Sequence, residues 1–182
     1  MKELVFFLEE ESAKYLLQAL LPRMVVQSIP IRYIVFEGKQ DLERQLERKL
    51  RSYQNPDARF IVLRDKDSSD CFAVKSRLKG ICSSAGKPGA IVRIACHEME
   101  SWYLADLEAT GLAYGKSLAH LQSQQKFRSP DSLGNPVQEL RRIVPEYQKV
   151  DGARRIGAYL DIHNQRSRSF YHLTKSIIQE AS

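Results

Sequence analysis

The chain has no apolar run near the roughly 18 residues that span a bilayer. Its short run Leu4 to Leu8 is followed at once by Glu9, Glu10 and Glu11, which is not the build of a secretory signal. No membrane association is expected, and the protein is expected in the cytoplasm. Cysteine is scarce: Cys71, Cys82 and Cys96 are odd in number and irregularly spaced, which suits reduced thiols and argues against a disulfide frame or a zinc site. No glycine-rich phosphate loop is present, so nucleotide hydrolysis by this chain alone is not expected. The histidines (His97, His120, His163, His172) show neither triad nor ligand spacing. There is one tryptophan, Trp102, expected in the core. Internal repeats and low-complexity segments are absent.

What is present is a 182-residue chain with an ordinary globular content of 43% hydrophobic residues, enough for one domain with an extension. The net charge of +6 is unevenly placed. The first 115 residues are close to neutral, and the basic excess falls in residues 116–175. A basic region beside an acidic one suits a polyanionic partner, with a solvated helical surface as the plain alternative.

The most informative stretch is Arg59-Phe60-Ile61-Val62-Leu63-Arg64-Asp65-Lys66-Asp67-Ser68-Ser69-Asp70. An apolar, β-branched run ends in three acids. A buried strand ending in Asp-x-Asp presents carboxylates at its carboxyl end, where ligands bind in open α/β sheets. Three further strands are expected, at Val5–Leu8, Ile31–Phe36 and Ala90–Ala95. Helices are expected between them: Ala13 to Leu21 ending at Pro22, one capped by Asp41 with Leu42, Leu46 and Leu50 on one face, and one capped by Asp70 with Val74 and Leu78. Strands joined by helices run parallel with right-handed crossovers. The first, third and fourth strands then end in Glu9/Glu10, Asp65/Asp67/Asp70 and Glu98/Glu100 on one sheet edge. Hard oxygen donors in that number favour Mg²⁺ or Mn²⁺. Spacing does not choose between Glu98 and Glu100, and Asp70 is as much a cap as a ligand.

Beyond Asp106 no strand-like run remains. A helix is expected from Pro136 to Val144, another capped by Asp151, and a last one through Leu173, Ile177 and Ile178. The division expected is an α/β core over residues 1–110 and a basic helical extension over 111–182 packed on it. Lys39 is a phosphate contact or part of a solvated turn. Arg154, Arg155, Arg166 and Arg168 are candidate nucleic-acid or phosphate contacts. Arg166 and Arg168, beside Asn164, are equally candidates for ion pairs with the acidic cluster, which is the favoured reading. Arg64 and Lys66 lie beside the acids as candidates to neutralise phosphate; the alternative is that strand alternation places them on the face opposite Asp65 and Asp67.

The strand-Glu and strand-Asp-x-Asp pattern, at Leu8-Glu9-Glu10-Glu11-Ser12 and Asp65-Lys66-Asp67, resembles the Toprim domain of topoisomerases, primases and overcoming-lysogenisation-defect (OLD) nucleases. The blocks Phe36 to Leu42, Asp65 to Cys71, Arg93 to Trp102 and Asn164 to Phe170 are similar to a small stand-alone Toprim-like bacterial family classed as a domain of unknown function. The resemblance implies a Toprim-like α/β fold, with a four-stranded parallel sheet between helices and a C-terminal helical appendage. It implies Mg²⁺ or Mn²⁺ on the acids, acid/base work for Glu9, and metal binding by Asp65 and Asp67. Glu10 stands where topoisomerases have a small residue. The family is also similar to proteins encoded beside ABC-type ATPases in phage-defence settings. The expected function is metal-dependent cleavage of DNA or RNA. The alternatives are a non-catalytic subunit of an ATPase complex, or a hydrolase of small phosphate esters.

Overall fold

The computed structural model describes residues 1–182. Four strands, β1 (Glu3–Leu8), β2 (Ile31–Val35), β3 (Ala58–Asp65) and β4 (Ile91–Ala95), alternate with α1 (Glu11–Leu20), α2 (Lys39–Arg51) and α3 (Cys71–Ser84). The sheet order is β2-β1-β3-β4 and every pair is parallel. The chain moves outward from β1 to β2, then crosses back over β1 to β3. Crossovers of one hand on opposite headings place their helices on opposite faces. Accordingly α1 packs on one face, and α2 with α3 on the other. The heading reverses between β1 and β3, which makes the carboxyl ends of those two strands the switch point of the sheet.

The continuous apolar runs follow from burial on both faces. In β1, Leu4, Phe6 and Leu8 join the α1-side core, while Val5 and Phe7 join the α2/α3-side core. In β3, Ile61 and Leu63 point to the α1 side, and Phe60 and Val62 to the other. Continuing the alternation puts Asp65 on the α1 side and Arg64 on the α2/α3 side, where Arg64 pairs with Glu43.

The rest of the chain is helical: α4 (Glu100–Leu104), α5 (Leu107–Tyr114), α6 (Gln125–Arg128), α7 (Pro136–Ile143), α8 (Lys149–Gly157) and α9 (Arg168–Ala181). Leu140, Ile156, Phe170, Leu173 and Ile177 share one apolar cluster with Phe6 and Leu63. The C-terminal helices therefore complete the α1-side core and have none of their own. Trp102 is buried there, tilted against Phe170, with its indole N–H donating to Ser169 Oγ at 2.8 Å. No helix is long and apolar enough to cross a membrane.

Two expected caps are displaced. Asp41 lies in the first turn of α2, whose cap position is Gly38, and its carboxylate accepts the Glu37 amide at 3.2 Å, reaching back much as in a capping box. Asp151 likewise lies in the first turn of α8 and is not its cap, because that helix opens from Gln148. Pro22 ends α1 through a 3-10 turn, Leu21–Arg23.

Helices α1 and α8 approach closely at Gly157, where an added Cβ would lie 2.9 Å from Ala19 Cβ and 3.0 Å from Leu16 Cδ1. Gly157→Ala is expected to cost about 1–3 kcal/mol by overpacking. At this chain length that is a Tm fall of roughly 2–12 °C. A thermal melt unchanged by the substitution would contradict the close packing.

Candidate active site

The site is built where three neighbouring strands end. Leu8 is in register with Leu63, and Asp65 with Ala95. Backbone pairing continues beyond the strands: Lys66 N–H donates to Ala95 O at 2.9 Å, Asp67 N–H to His97 O at 2.8 Å, and Gly38 N–H to Glu9 O at 3.0 Å. Asp67 and His97 both adopt left-handed backbone, φ 53° and 59°. Side-chain-bearing residues adopt that conformation at a cost, so the surrounding pairing must hold it, as is common at binding sites.

Glu9 Oε2 accepts the backbone N–H of Asp65 at 3.0 Å, tying the end of β1 to the end of β3. Burial raises the Glu9 pKa, and the nearby Asp67 and Glu10 carboxylates add to the rise. Asp65 is buried on the α1 side of the sheet. Burial, followed by Glu10, Glu100 and Glu9, pushes its carboxyl well above the ordinary range. Glu100, at the start of α4, is also buried, and burial raises its pKa. Its Oε1 accepts the Tyr147 hydroxyl at 2.6 Å, while Oε2 has no hydrogen-bond partner.

The choice between Glu98 and Glu100 thus resolves into two places. Glu100 turns inward beside Asp65. Glu98 lines an open cleft of about 630 Å³ with Asp67, His97, Asn135, Arg141 and Lys149.

Two cations stand among these acids: Arg64 Nε lies 3.9 Å from Glu9 Oε2, and Lys149 approaches from α8. Lys149 Nζ lies 3.4 Å from Glu10 Oε2, and Glu10 also accepts the Ser12 hydroxyl. Burial lowers the lysine pKa, but Glu100, Glu10, Asp65 and Glu98 outweigh it and the net shift is upward. Lys39 Nζ pairs at 2.9 Å with Asp67, which lines the cleft. No three His, Cys, Asp or Glu side chains are gathered closely enough to cage an ion unaided. Nevertheless the donors are hard carboxylate oxygens, one of them buried and orphaned, and Asp65 is buried among like charges. That donor set fits a hard divalent cation.

The family model described as Domain of unknown function (DUF4276) matches residues 8–178. The chain belongs to this family. No curated protein matches it. Among solved structures, the C-terminal region of the Burkholderia pseudomallei OLD protein is similar over 98% of both chains, with TM-score 0.59 and 14% identity. The C-terminal region of the Xanthomonas campestris pv. campestris OLD protein is similar over 99% of this chain and 98% of its own, with TM-score 0.50 and 14% identity. At such identity the likeness concerns the fold, which is Toprim-like.

In this DUF4276 chain the remaining candidates lie apart from the acids or are already engaged. Asp70 caps α3, its carboxylate accepting the Ala73 amide at 2.8 Å. Arg154 stacks over the Tyr15 ring at 4.6 Å, and Arg155 pairs with Asp151 at 2.8 Å. Arg166 Nη1 donates to Ala105 O at 3.4 Å, beside the Asn164 amide on the same carbonyl. Arg168 lines a separate groove between α3 and α9. The favoured ion pairs of Arg166 and Arg168 with the acidic cluster are therefore not formed. Asn164 and Ser167 anchor their turn to Ala105 and Asp131, and the counter-charges are Lys149, Lys39 and Arg64. Lys149, Tyr147 and Arg141 escape sequence reasoning. No motif surrounds them, and only packing of the C-terminal helices brings them to the strand ends.

Proposed function

We propose that this protein is a divalent-metal-dependent phosphodiesterase acting on DNA or RNA. The observation that carries the reading is the convergence of Glu9, Asp65 and Glu100, from the ends of three adjacent parallel strands, on a buried site with an unpartnered carboxylate oxygen. One or two of these carboxylates, with water and the substrate phosphate completing the shell, would hold Mg²⁺ or Mn²⁺, since the side chains do not cage an ion unaided; Glu10, Asp67 and Glu98 belong to the same strand ends. The ion supplies Lewis-acid polarisation of a phosphoryl oxygen. Glu9, its pKa raised by burial, is suited to take a proton from an attacking water or return one to the leaving oxygen. Lys149 and Arg141 offer the cleft's positive charge to the phosphate. The OLD likeness supports the nuclease-like class, and the family resemblance adds an ABC-type ATPase partner and a phage-defence role to the reading.

The ion pairs Lys39–Asp67 and Lys149–Glu10 favour one other reading, a non-catalytic binding subunit whose acids serve structure. Incubation with labelled DNA and RNA, with Mg²⁺ or Mn²⁺ and with or without the partner ATPase, separates the two. Cleavage that stops on chelation and falls about 10²–10⁴-fold in Glu9→Gln is expected. Intact nucleic acid under all these conditions sinks the phosphodiesterase reading. Turnover of small phosphate esters alone would reassign the substrate.

A further inference from the structure

A groove of about 480 Å³ opens between the first turns of α3 and α9, and none of its lining residues lines the acidic cleft. Its floor is largely apolar, with Val92, Ile94 and Cys96, and its charged rim is basic: Lys75, Arg93, Arg168 and His172 contribute, and Asp131 is the only acid. Asp131 is already engaged, accepting from Ser167 Oγ at 2.6 Å and from Ser169 N at 2.9 Å. Arg93 donates only to Ser176 Oγ, at 2.9 and 2.6 Å. Lys75, Arg168 and the neighbouring Lys175 make no ion pair. Burial lowers the His172 pKa, and Arg93, Arg168, Lys175 and Lys75 all press it further down, so these cations share one locality. The amino ends of two 14-residue helices add positive potential there.

Phe72 also lines this groove, and 81% of it is exposed, the most open large apolar side chain in the molecule. A single exposed apolar residue is ordinary. A flat exposed ring among uncompensated cations is the pairing that single-stranded nucleic acid uses, with phosphates on the cations and a base on the ring. A duplex keeps its base faces stacked and cannot use the ring. The groove is also continuous with the acids along the chain: Cys71 follows the Asp67–Asp70 turn, and Cys96 precedes His97.

We infer that this groove binds a single-stranded segment of nucleic acid, with phosphates on Lys75, Arg93 and Arg168 and a base stacked on Phe72. That the bound strand is the substrate of the acidic site rests on the phosphodiesterase reading; binding itself does not. Fluorescence anisotropy in EDTA, where no cleavage can occur, tests it with labelled oligothymidylate, a duplex of equal length and polyglutamate as competitor. The single strand is expected to bind more tightly than the duplex. Lys75→Glu with Arg168→Glu is expected to weaken it about tenfold or more. Phe72→Ala is expected to weaken the single strand about 5–100-fold, leaving the duplex unchanged. Absence of single-strand binding, insensitivity to either variant, or displacement by polyglutamate at equal charge would overturn the inference. Binding retained by a protein that never cleaves would overturn the phosphodiesterase reading alone.

Discussion

Asp65→Asn is expected to reduce metal-dependent cleavage by about 10³-fold or more, since several kcal/mol of charge stabilisation leaves with the carboxylate. The same substitution is expected to raise the Tm of the metal-free protein at pH 7.5. The Asp65 carboxylate is buried beside Glu9, Glu10 and Glu100, and its folded pKa lies well above the unfolded value. A group shifted in that direction contributes stability that is fully present below its unfolded pKa of about 4, and loses it as pH rises through the folded pKa. The fold therefore disfavours the ionised form of this carboxyl as pH rises. Asparagine has nearly the same shape without the charge, and the Asp65 side chain makes no hydrogen bond that it would lose. A gain of about 3–8 °C is expected. Thermal melts from pH 5 to 7.5 check this. The wild type should lose stability across that window more steeply than the variant, and Mn²⁺ should raise only the wild-type Tm. A variant less stable than wild type at pH 7.5, or one still stabilised by Mn²⁺, would remove Asp65 from the proposed metal set.

The sheet and half of the site are legible in the sequence because they are written locally. Runs such as Leu4 to Leu8 and Phe60 to Leu63 are apolar on both alternating faces, which only a doubly covered strand explains. Acids placed directly after such runs fall on one sheet edge once the strands are parallel, and that suffices to pair Glu9 with Asp65 from the sequence alone. Glu98 and Glu100 cannot be separated in this way, because their directions depend on the left-handed turn at His97, and no pattern predicts that for a histidine. The counter-charge is misplaced for a different reason. The dense block Arg166-Ser167-Arg168 has the composition of a partner for the acids, but its turn is held elsewhere by Asn164 and Asp131. Lys149 stands in no motif and lies more than eighty residues beyond the Asp-x-Asp pair, and only the docking of α8 on α1 brings it to Glu10. Local periodicity reports strands and helices. Which charge meets which is decided by tertiary packing.

Lys149→Met tests that packing and should act in two opposite directions. Methionine keeps most of the apolar stem and removes the one cation held among Glu10, Glu100, Asp65 and Glu98. The lysine pKa is raised, so its stabilising contribution is full below about 10.4 and is lost only as pH rises through the folded value. Its carboxylate partners must be ionised for that contribution to exist. Asp65 and Glu100 both have raised pKa values, so they take up protons earlier than ordinary carboxylates as pH falls. The Tm loss in Lys149→Met should therefore be largest near pH 7.5 and shrink toward pH 5. Arg155→Met, which breaks the exposed Arg155–Asp151 pair, supplies the control. It should shift stability by less than about 1 kcal/mol at every pH, as exposed pairs do. The second direction concerns the metal. In the wild type, Lys149 already partly satisfies Glu10, and a divalent cation must compete with it. Its removal should tighten Mn²⁺ binding by about tenfold, a coupling of roughly 1.4 kcal/mol, and Mn²⁺ should restore most of the lost Tm. Calorimetric titration reads the affinity, and melts with and without Mn²⁺ read the rescue. Equal destabilisation at pH 5 and pH 7.5, without rescue, would mean that Lys149 is held by its stem and is no counter-charge of the site. A variant that loses stability while gaining metal affinity can arise only if the lysine occupies charge that the ion would otherwise take.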